Sequence, residues 1–386
     1  MLALLPVLAA ERFAIGLLSQ IGISILICLS YYLLLGQAGL LSFGHALYTG
    51  AGAFAAIHWL QWAQQGAIVP VVLIPLLAGL CTVALAGATG WLSTRRGGLV
   101  FAMITLGLGE LAWTVAQRFP VVFGGEAGIS ANRASGPVWP GIGLGPDENM
   151  YALIAIYTFL CSLLIYAFSK SSFALSLRAM REQPARAAAL GFDIRSARFR
   201  VVWVSAFFAG VAGGLSALHF ELVSNEVFSV ARSGSYLLFT LVGGTSWFAG
   251  PILGGVLMVL ATDGLSSLTG AWQLYLGLLF VITVMRLPNG LGGWLFERWT
   301  GRQTLRLADL GWRPVRKGLG LVLLGLAVVA CIEMVYQYQL REVLGPERLF
   351  WGLALDSQHP MHWLLVLCLA GLGWLMTFAR RRPRAG

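Results

Sequence analysis

The sequence predicts an all-α, polytopic integral membrane protein with about eleven transmembrane segments, some of them short or broken helices rich in glycine and proline. Hydrophobic residues make up 58% of the 386 residues, and charged residues only 11%. The apolar residues are grouped into runs close to the roughly 20 residues that a helix needs to cross a bilayer. A soluble core of this size does not need so many apolar side chains, so we expect lipid to surround most of the chain.

One long polar segment, 170–200, divides the predicted spans into two groups. Five spans precede it: 13–35, 44–62, 69–92, 99–119 and 150–169. Six follow it: 201–219, 234–248, 251–267, 269–286, 318–337 and 361–379. Residues 1–10 are apolar but lack the basic start of a secretory signal, so we expect an interfacial lead-in to the first span.

Positive charge is concentrated in four segments that lie next to apolar spans. Residues 95–96, 170–200, 286–317 and 380–384 carry net charges of +2, +5, +5 and +4. Short loops rich in Lys and Arg stay in the cytoplasm, so we expect all four segments there. The side of the N-terminus remains open, because residues 44–62 either cross the bilayer or only dip into it. Membrane topology accounts for this charge, and we therefore expect no nucleic acid partner.

The segment 36–52 carries glycines at a density that costs helix stability. One interpretation is close helix packing through small residues. The other is a discontinuous helix that lines a translocation path, with Ser42, His45, Tyr48 and Thr49 as its polar wall. The sequence alone leaves both open.

A second glycine-rich segment, 242–255, contains Gly243, Gly244 and Pro251. Proline cannot continue the hydrogen-bond ladder of a helix, and the paired glycines loosen the backbone beside it. We expect the chain to break here, near the middle of the bilayer or at its edge, in a place buried in protein or facing a water-filled cavity.

Glu110 lies near the middle of a predicted span, where an unpaired charge costs about 3 kcal/mol. It must therefore be neutral, paired or hydrated. The residue is either a polar group of the translocation path or a protonated contact between helices, and the sequence does not separate the two.

The polar segment itself predicts a short capped helix. Pro184 suits the first helical turn, residues 185–190 favour helix, and Gly191 is placed to end it. Leu190 and Phe192 add apolar side chains where no lipid requires them. This pattern predicts a docking surface for a cytosolic partner.

Motifs for catalysis are missing from the printed sequence. It contains no G-x-x-x-x-G-K-[ST] phosphate loop and no G-x-S-x-G or H-E-x-x-H motif. Its five cysteines lie in apolar segments without metal-ligand spacing. We therefore expect no enzyme activity, cofactor or metal in this chain.

Five segments together resemble the permease subunits of ABC importers for branched-chain amino acids, the LivM type, and the urea permeases of the same superfamily. They are LGQAGLLSFGH at 35–45, RGGLVFAMITL at 96–106, REQPARAAALGFD at 181–193, GGTSWFAGP at 243–251 and RLPNGL at 286–291. The resemblance covers roughly residues 13–293 and implies a multi-pass permease of the bacterial inner membrane. Residues 294–386, with two further spans, would be a C-terminal extension to this 1–293 core.

The resemblance also implies partners: a second homologous permease, two cytosolic ATPase subunits that hydrolyse ATP, and a periplasmic substrate-binding protein. In this family the loop that corresponds to residues 181–191 is the coupling element that contacts the ATPase. The residues carried over to that coupling role are Arg181, Glu182, Arg186, Leu190, Gly191 and Phe192. Alternative functions are a urea or amide importer and a stand-alone secondary transporter that couples ions through acids such as Glu110.

Overall fold

The structure is a computed structural model that describes most of the chain up to residue 299 and parts of the remainder. The described residues are 12–66, 69–135, 143–266, 272–287, 289–299, 320, 323–332, 334–335, 349–350, 353–354 and 360–378. The expected lead-in at 1–10 lies outside them. The chain divides into two compact units, one of Met1–Leu265 with Gly277–Phe296 and another of Ser266–Leu276 with Glu297–Gly386.

Helices account for nearly all of the regular structure up to residue 299. In order they are α1 Arg12–Tyr32, α2 Ala46–Gln64, α3 Ile74–Ser93, α4 Leu99–Arg118, α5 Pro120–Phe123, α6 Asp147–Lys170, α7 Ser172–Glu182, α8 Pro184–Ala189, α9 Ile194–Phe220, α10 Val230–Gly243, α11 Ala249–Val259, α12 Trp272–Arg286 and α13 Gly290–Trp299. Five segments are long and apolar enough to cross a membrane: Phe13–Gln37, Val71–Ser93, Leu99–Arg118, Asp147–Lys170 and Ile194–Phe220. The predicted all-α polytopic fold is thereby confirmed.

Two predicted spans need correction. The span 234–248 ends at Gly243, because Gly244 has a positive φ of 96° and stops α10 there. The span 201–219 begins earlier, at Ile194, because the Asp193 carboxylate caps α9 by accepting hydrogen bonds from the two backbone amides of Arg195 and Ser196, at 3.1 and 3.2 Å.

Helix α9 forms the centre of the first unit, with 78% of its most apolar stretch buried. It packs against α1, α2 and α3. Small residues permit the close approach, since a Cβ atom at Gly213 would overlap the Thr49 carbonyl oxygen of α2. The Thr82 hydroxyl of α3 donates a 2.9 Å hydrogen bond to the Ala206 carbonyl.

At the other end of α9, a buried arginine holds two loops together. Strands β1 (Ile129–Ser130) and β2 (Leu222–Val223) pair antiparallel beside it. The Arg133 guanidinium donates to the His219 carbonyl of α9 at 3.2 Å and to the Asp147 carboxylate of α6 at 2.5 Å. Arg133 therefore joins the end of α9 to the beginning of α6.

The second unit contains two apolar helices, α14 Leu323–Ile332 and α15 Pro360–Phe378, and a hairpin of β3 (Leu349–Phe350) with β4 (Leu353–Ala354). Helix α15 covers the predicted span 361–379. Only parts of the predicted span 318–337 lie within the described residues.

Replacing Arg133 with Ala should lower the free energy of unfolding by about 3 kcal/mol, because it leaves Asp147 and several backbone carbonyls without their charged donor. Thermal unfolding of the detergent-purified protein measures the effect. Arg232→Ala is the control, since Arg232 is exposed at the first turn of α10. Equal midpoints for the two variants would contradict a structural role for the Arg133 cluster.

Candidate coupling surface and translocation path

Two short helices, α7 and α8, connect α6 to α9. The Ser171 hydroxyl caps α7 by accepting a 3.2 Å hydrogen bond from the Ala174 amide. Helix α7 buries Ala174, Leu177 and Met180 on one face, and this face anchors it to the rest of the unit. The amphipathic pattern thus positions the loop that follows.

Helix α8 and the residues after it form an exposed surface. The helix begins at Pro184, and Gly191 ends it with a positive φ of 87°, so the predicted capped helix is confirmed. Leu190 is 72% exposed and Phe192 is 45% exposed. Exposed apolar side chains beside charged ones are typical of a protein-binding surface.

The predicted coupling residues lie together in this part of the chain. Six exposed residues define what we call the coupling surface: Arg181, Glu182, Arg186, Leu190, Gly191 and Phe192. Arg181 also reaches inward, because its guanidinium donates a 2.5 Å hydrogen bond to the Gly36 carbonyl at the end of α1. Sequence reasoning missed this contact, since the two residues belong to separate motifs 145 positions apart.

The chain breaks between α1 and α2. Helix α1 continues through a π-helical turn, Leu33–Gln37, and the backbone is not helical again until α2 begins at Ala46. Glycines in and after this break serve close packing, since a Cβ atom at Gly44 would overlap the Thr105 carbonyl oxygen of α4. The sequence offered tight packing and a discontinuous helix as alternatives for the segment 36–52, and the structure combines the two.

The polar residues of this first break lie inside the protein. His45 is fully buried, and its Nε2 lies 2.8 Å from the Ser30 hydroxyl. The Tyr31 hydroxyl donates to the Ser42 carbonyl at 2.6 Å. Thr49 is also buried, and its hydroxyl donates to the Ala46 carbonyl at 3.2 Å. These contacts hold the break in place, while the buried Ser42 Oγ and His45 Nδ1 have no hydrogen-bond partner in the described part of the chain.

An apolar cavity of about 400 Å³ lies between α2, α3, α4 and α5. Its lining includes Leu47, Phe54, Leu111 and Val115, with His58 and Thr89 as polar members. Tyr48, although buried, reaches the cavity wall through a 3.1 Å hydrogen bond with Thr89. None of Ser42, His45, Tyr48 and Thr49 is among the residues that line this cavity.

The second predicted break is confirmed between α10 and α11. The backbone is not helical at the start of this turn, and Pro251 lies in the first helical turn of α11. Gly243 and Gly244 pack against neighbouring backbone, and a Cβ atom at Gly244 would overlap the Asn289 carbonyl oxygen. The Ser246 hydroxyl donates to the Asn289 side chain at 3.2 Å and closes the turn.

Glu110 lies on α4 and is partly exposed. The Thr114 hydroxyl donates a 2.9 Å hydrogen bond to the Glu110 backbone carbonyl. Among the described residues, the Glu110 carboxylate has no ion pair. The choice between a polar group of the translocation path and a protonated contact between helices therefore stays as the sequence left it.

The family described as "Branched-chain amino acid transport system / permease component" matches residues 13–286. The chain belongs to this permease family. The resemblance that the five sequence segments indicated is thereby confirmed. The matched region contains the coupling surface, both breaks and the apolar cavity.

Relatives of this permease family include the high-affinity branched-chain amino acid transport system permease protein LivM of Salmonella typhimurium. It is 25% identical over 306 residues, which cover 73% of this chain and 70% of the relative. LivM of Escherichia coli K12 is 25% identical over 292 residues, or 70% and 67% of the two chains. A probable LivH permease protein of Methanocaldococcus jannaschii is 30% identical over 152 residues, or 36% and 44%. No solved structure matches the chain.

Replacing Gly244 with Ala should destabilise the permease by more than 1 kcal/mol, because the new Cβ atom meets the Asn289 carbonyl and the positive φ is strained. Gly234→Ala is the matched control. Gly234 lies in α10, has open space around it, and should tolerate alanine with a small gain in helix stability. Folded yield in detergent measures both, and equal yields would contradict the tight-turn interpretation.

Proposed function

We propose that this chain is a membrane-spanning permease subunit of an ATP-driven importer for branched-chain or related amino acids. It lies in the bacterial inner membrane with about eleven segments that enter the bilayer. A second homologous permease, two cytosolic ATPases and a periplasmic substrate-binding protein complete the transporter. Family membership over residues 13–286 supports the substrate class. The urea or amide importer remains the second candidate, because the motifs that indicate the family are shared with those permeases.

The observation that carries the coupling role is the contact of Arg181, near the end of α7 and next to the exposed helix α8, with the first break. The coupling surface contacts the ATPase, and Arg181 connects that surface to the end of α1 through the Gly36 carbonyl. When ATP draws the ATPase subunits together, they displace α7 and α8. Displacement of these helices moves the broken end of α1 and switches access to the path between the two sides of the membrane.

The same contact supports an orientation. Arg181 belongs to the basic segment 170–200, which the charge distribution assigns to the cytoplasm. Gly36 touches Arg181, so the end of α1 lies on the cytoplasmic side too. The helical segment Phe13–Gln37 is 25 residues long and crosses the bilayer once, which puts residue 13 on the outer side. Helix α2 then returns to the outer side as a full crossing.

Residues 1–293 form the transport core in this proposal, and 294–386 form an extension. The family match ends at residue 286, the last residue of α12. The extension is therefore peripheral to translocation.

Gly191→Val should reduce ATP-dependent leucine uptake at least tenfold, because valine cannot adopt the positive φ that ends α8 and presents Leu190. Gly66→Val is the matched control. Gly66 also has a positive φ, of 98°, and open space around it, but it lies at the opposite end of α2 from the coupling surface. Uptake is measured in proteoliposomes with all partners. Equal uptake by the two variants would contradict the coupling role.

Deleting residues 318–386 should leave leucine uptake within about twofold of the full chain, because the extension lies outside the matched core. Size-exclusion chromatography of the complex shows whether the truncated chain still assembles. A transporter that assembles normally but takes up no leucine would show that the extension takes part in translocation.

A further inference from the structure

Helix α4 carries a row of residues that points away from the rest of the described chain. Met103, Gly107, Glu110, Thr114 and Gln117 recur at alternating intervals of four and three, so they share one face of the helix. All are exposed except Glu110, which is partly exposed. We call this row the polar stripe, because three of its five members are polar.

The outward faces of the other spanning helices are apolar along their middle parts. On α3 the exposed residues include Leu80 and Cys81, and on α6 they include Ile156, Phe159 and Leu163. Such faces suit lipid. A carboxylate in the middle part of a span does not, because hydrocarbon offers it no hydrogen-bond partner.

The polar stripe is also distinct from the apolar cavity. Leu108, Leu111 and Val115 of α4 line the cavity, and they lie on a different face of the helix from Glu110. Gly107 precedes Glu110 by almost one turn and has open space around it. Because it has no side chain, it leaves room beside the Glu110 carboxylate.

Helix α4 is tied to the element that the coupling surface moves. The Phe43 amide in the first break donates to the Thr105 hydroxyl of α4 at 3.2 Å, and Gly44 packs against Gly109. A continuous set of contacts therefore runs from Arg181 through Gly36 and the first break to the helix that bears Glu110.

The geometry points to the polar stripe as one wall of a water-filled translocation path, with the second permease subunit opposite. Glu110 binds the ammonium group of the amino acid as it passes, since a carboxylate is the group that favours a cation in a low-dielectric site. This inference deepens the proposed function and rests on it. It assigns the substrate contact to α4 and leaves the buried network around His45 a structural part.

Labelling of single cysteines in the complete transporter tests the water-filled wall. The three native cysteines with some exposure are first replaced by alanine: Cys81, Cys331 and Cys368. One variant then adds Gly107→Cys on the polar stripe, and a second restores only Cys81 on the apolar face of α3. Both positions lie in the middle part of their helices. The buried Cys28 and Cys161 stay in both variants.

We expect a charged, membrane-impermeant methanethiosulfonate reagent to modify the Gly107→Cys variant at least tenfold faster than the variant that retains Cys81. Equal rates would overturn the water-filled wall, whether lipid or packed protein covers the stripe. Leucine should slow the modification of Gly107→Cys at least threefold. Adding Glu110→Gln should remove this protection, while Glu110→Asp, which keeps the charge, should retain it.

The outcomes separate this inference from the proposed function. If the unmodified transporter takes up no leucine with ATP, the proposed substrate and energy source are wrong. If it takes up leucine normally but Gly107→Cys is not labelled, only the placement of the path on α4 is wrong. Labelling with protection that survives Glu110→Gln overturns the ammonium contact and leaves the wall in place.

Discussion

The hydrogen bond from the Arg181 guanidinium to the Gly36 carbonyl joins α7 to the irregular end of α1. In a regular helix the Leu40 amide would donate to the Gly36 carbonyl. Here the Leu40 amide donates to the Leu34 carbonyl instead, which leaves the Gly36 carbonyl available. A backbone carbonyl left unpaired near lipid is costly. The irregular end of α1 therefore needs a hydrogen-bond donor, and Arg181 supplies a charged one.

The same requirement organises the rest of the first break. The Ala46 amide, at the start of α2, is not bonded within a helix and donates to the Ser233 hydroxyl of α10 at 2.9 Å. The Ser42 amide donates to the Tyr31 hydroxyl at 3.0 Å. Three backbone amides of the break, those of Ser42, Phe43 and Ala46, thus bond to side chains of α1, α4 and α10, and these contacts bring the three helices together at the break.

Local features were predictable from the sequence where one residue dictates the geometry. Pro184 and Gly191 bound α8 because proline fixes the first turn and glycine accepts a positive φ, and Pro251 marks the start of α11. The contact between Arg181 and Gly36 was not predictable, since no spacing rule relates residues so far apart. The polar stripe was in the sequence, yet only the side-chain exposures along α4 show that it points outward, beside exposed apolar residues such as Leu111 and Trp113.

Helix α9 limits where the permease can deform. Asp193 caps its first turn beside the coupling surface, and Arg133 holds its last turn through backbone carbonyls. Between these ends Gly213 packs so closely on α2 that a single added Cβ atom would overlap the Thr49 carbonyl oxygen. In the transport cycle that we propose, a displacement of α7 would therefore act first on the contact between Arg181 and Gly36, because α9 is held at both ends and the backbone beyond Gly36 has no regular helical ladder.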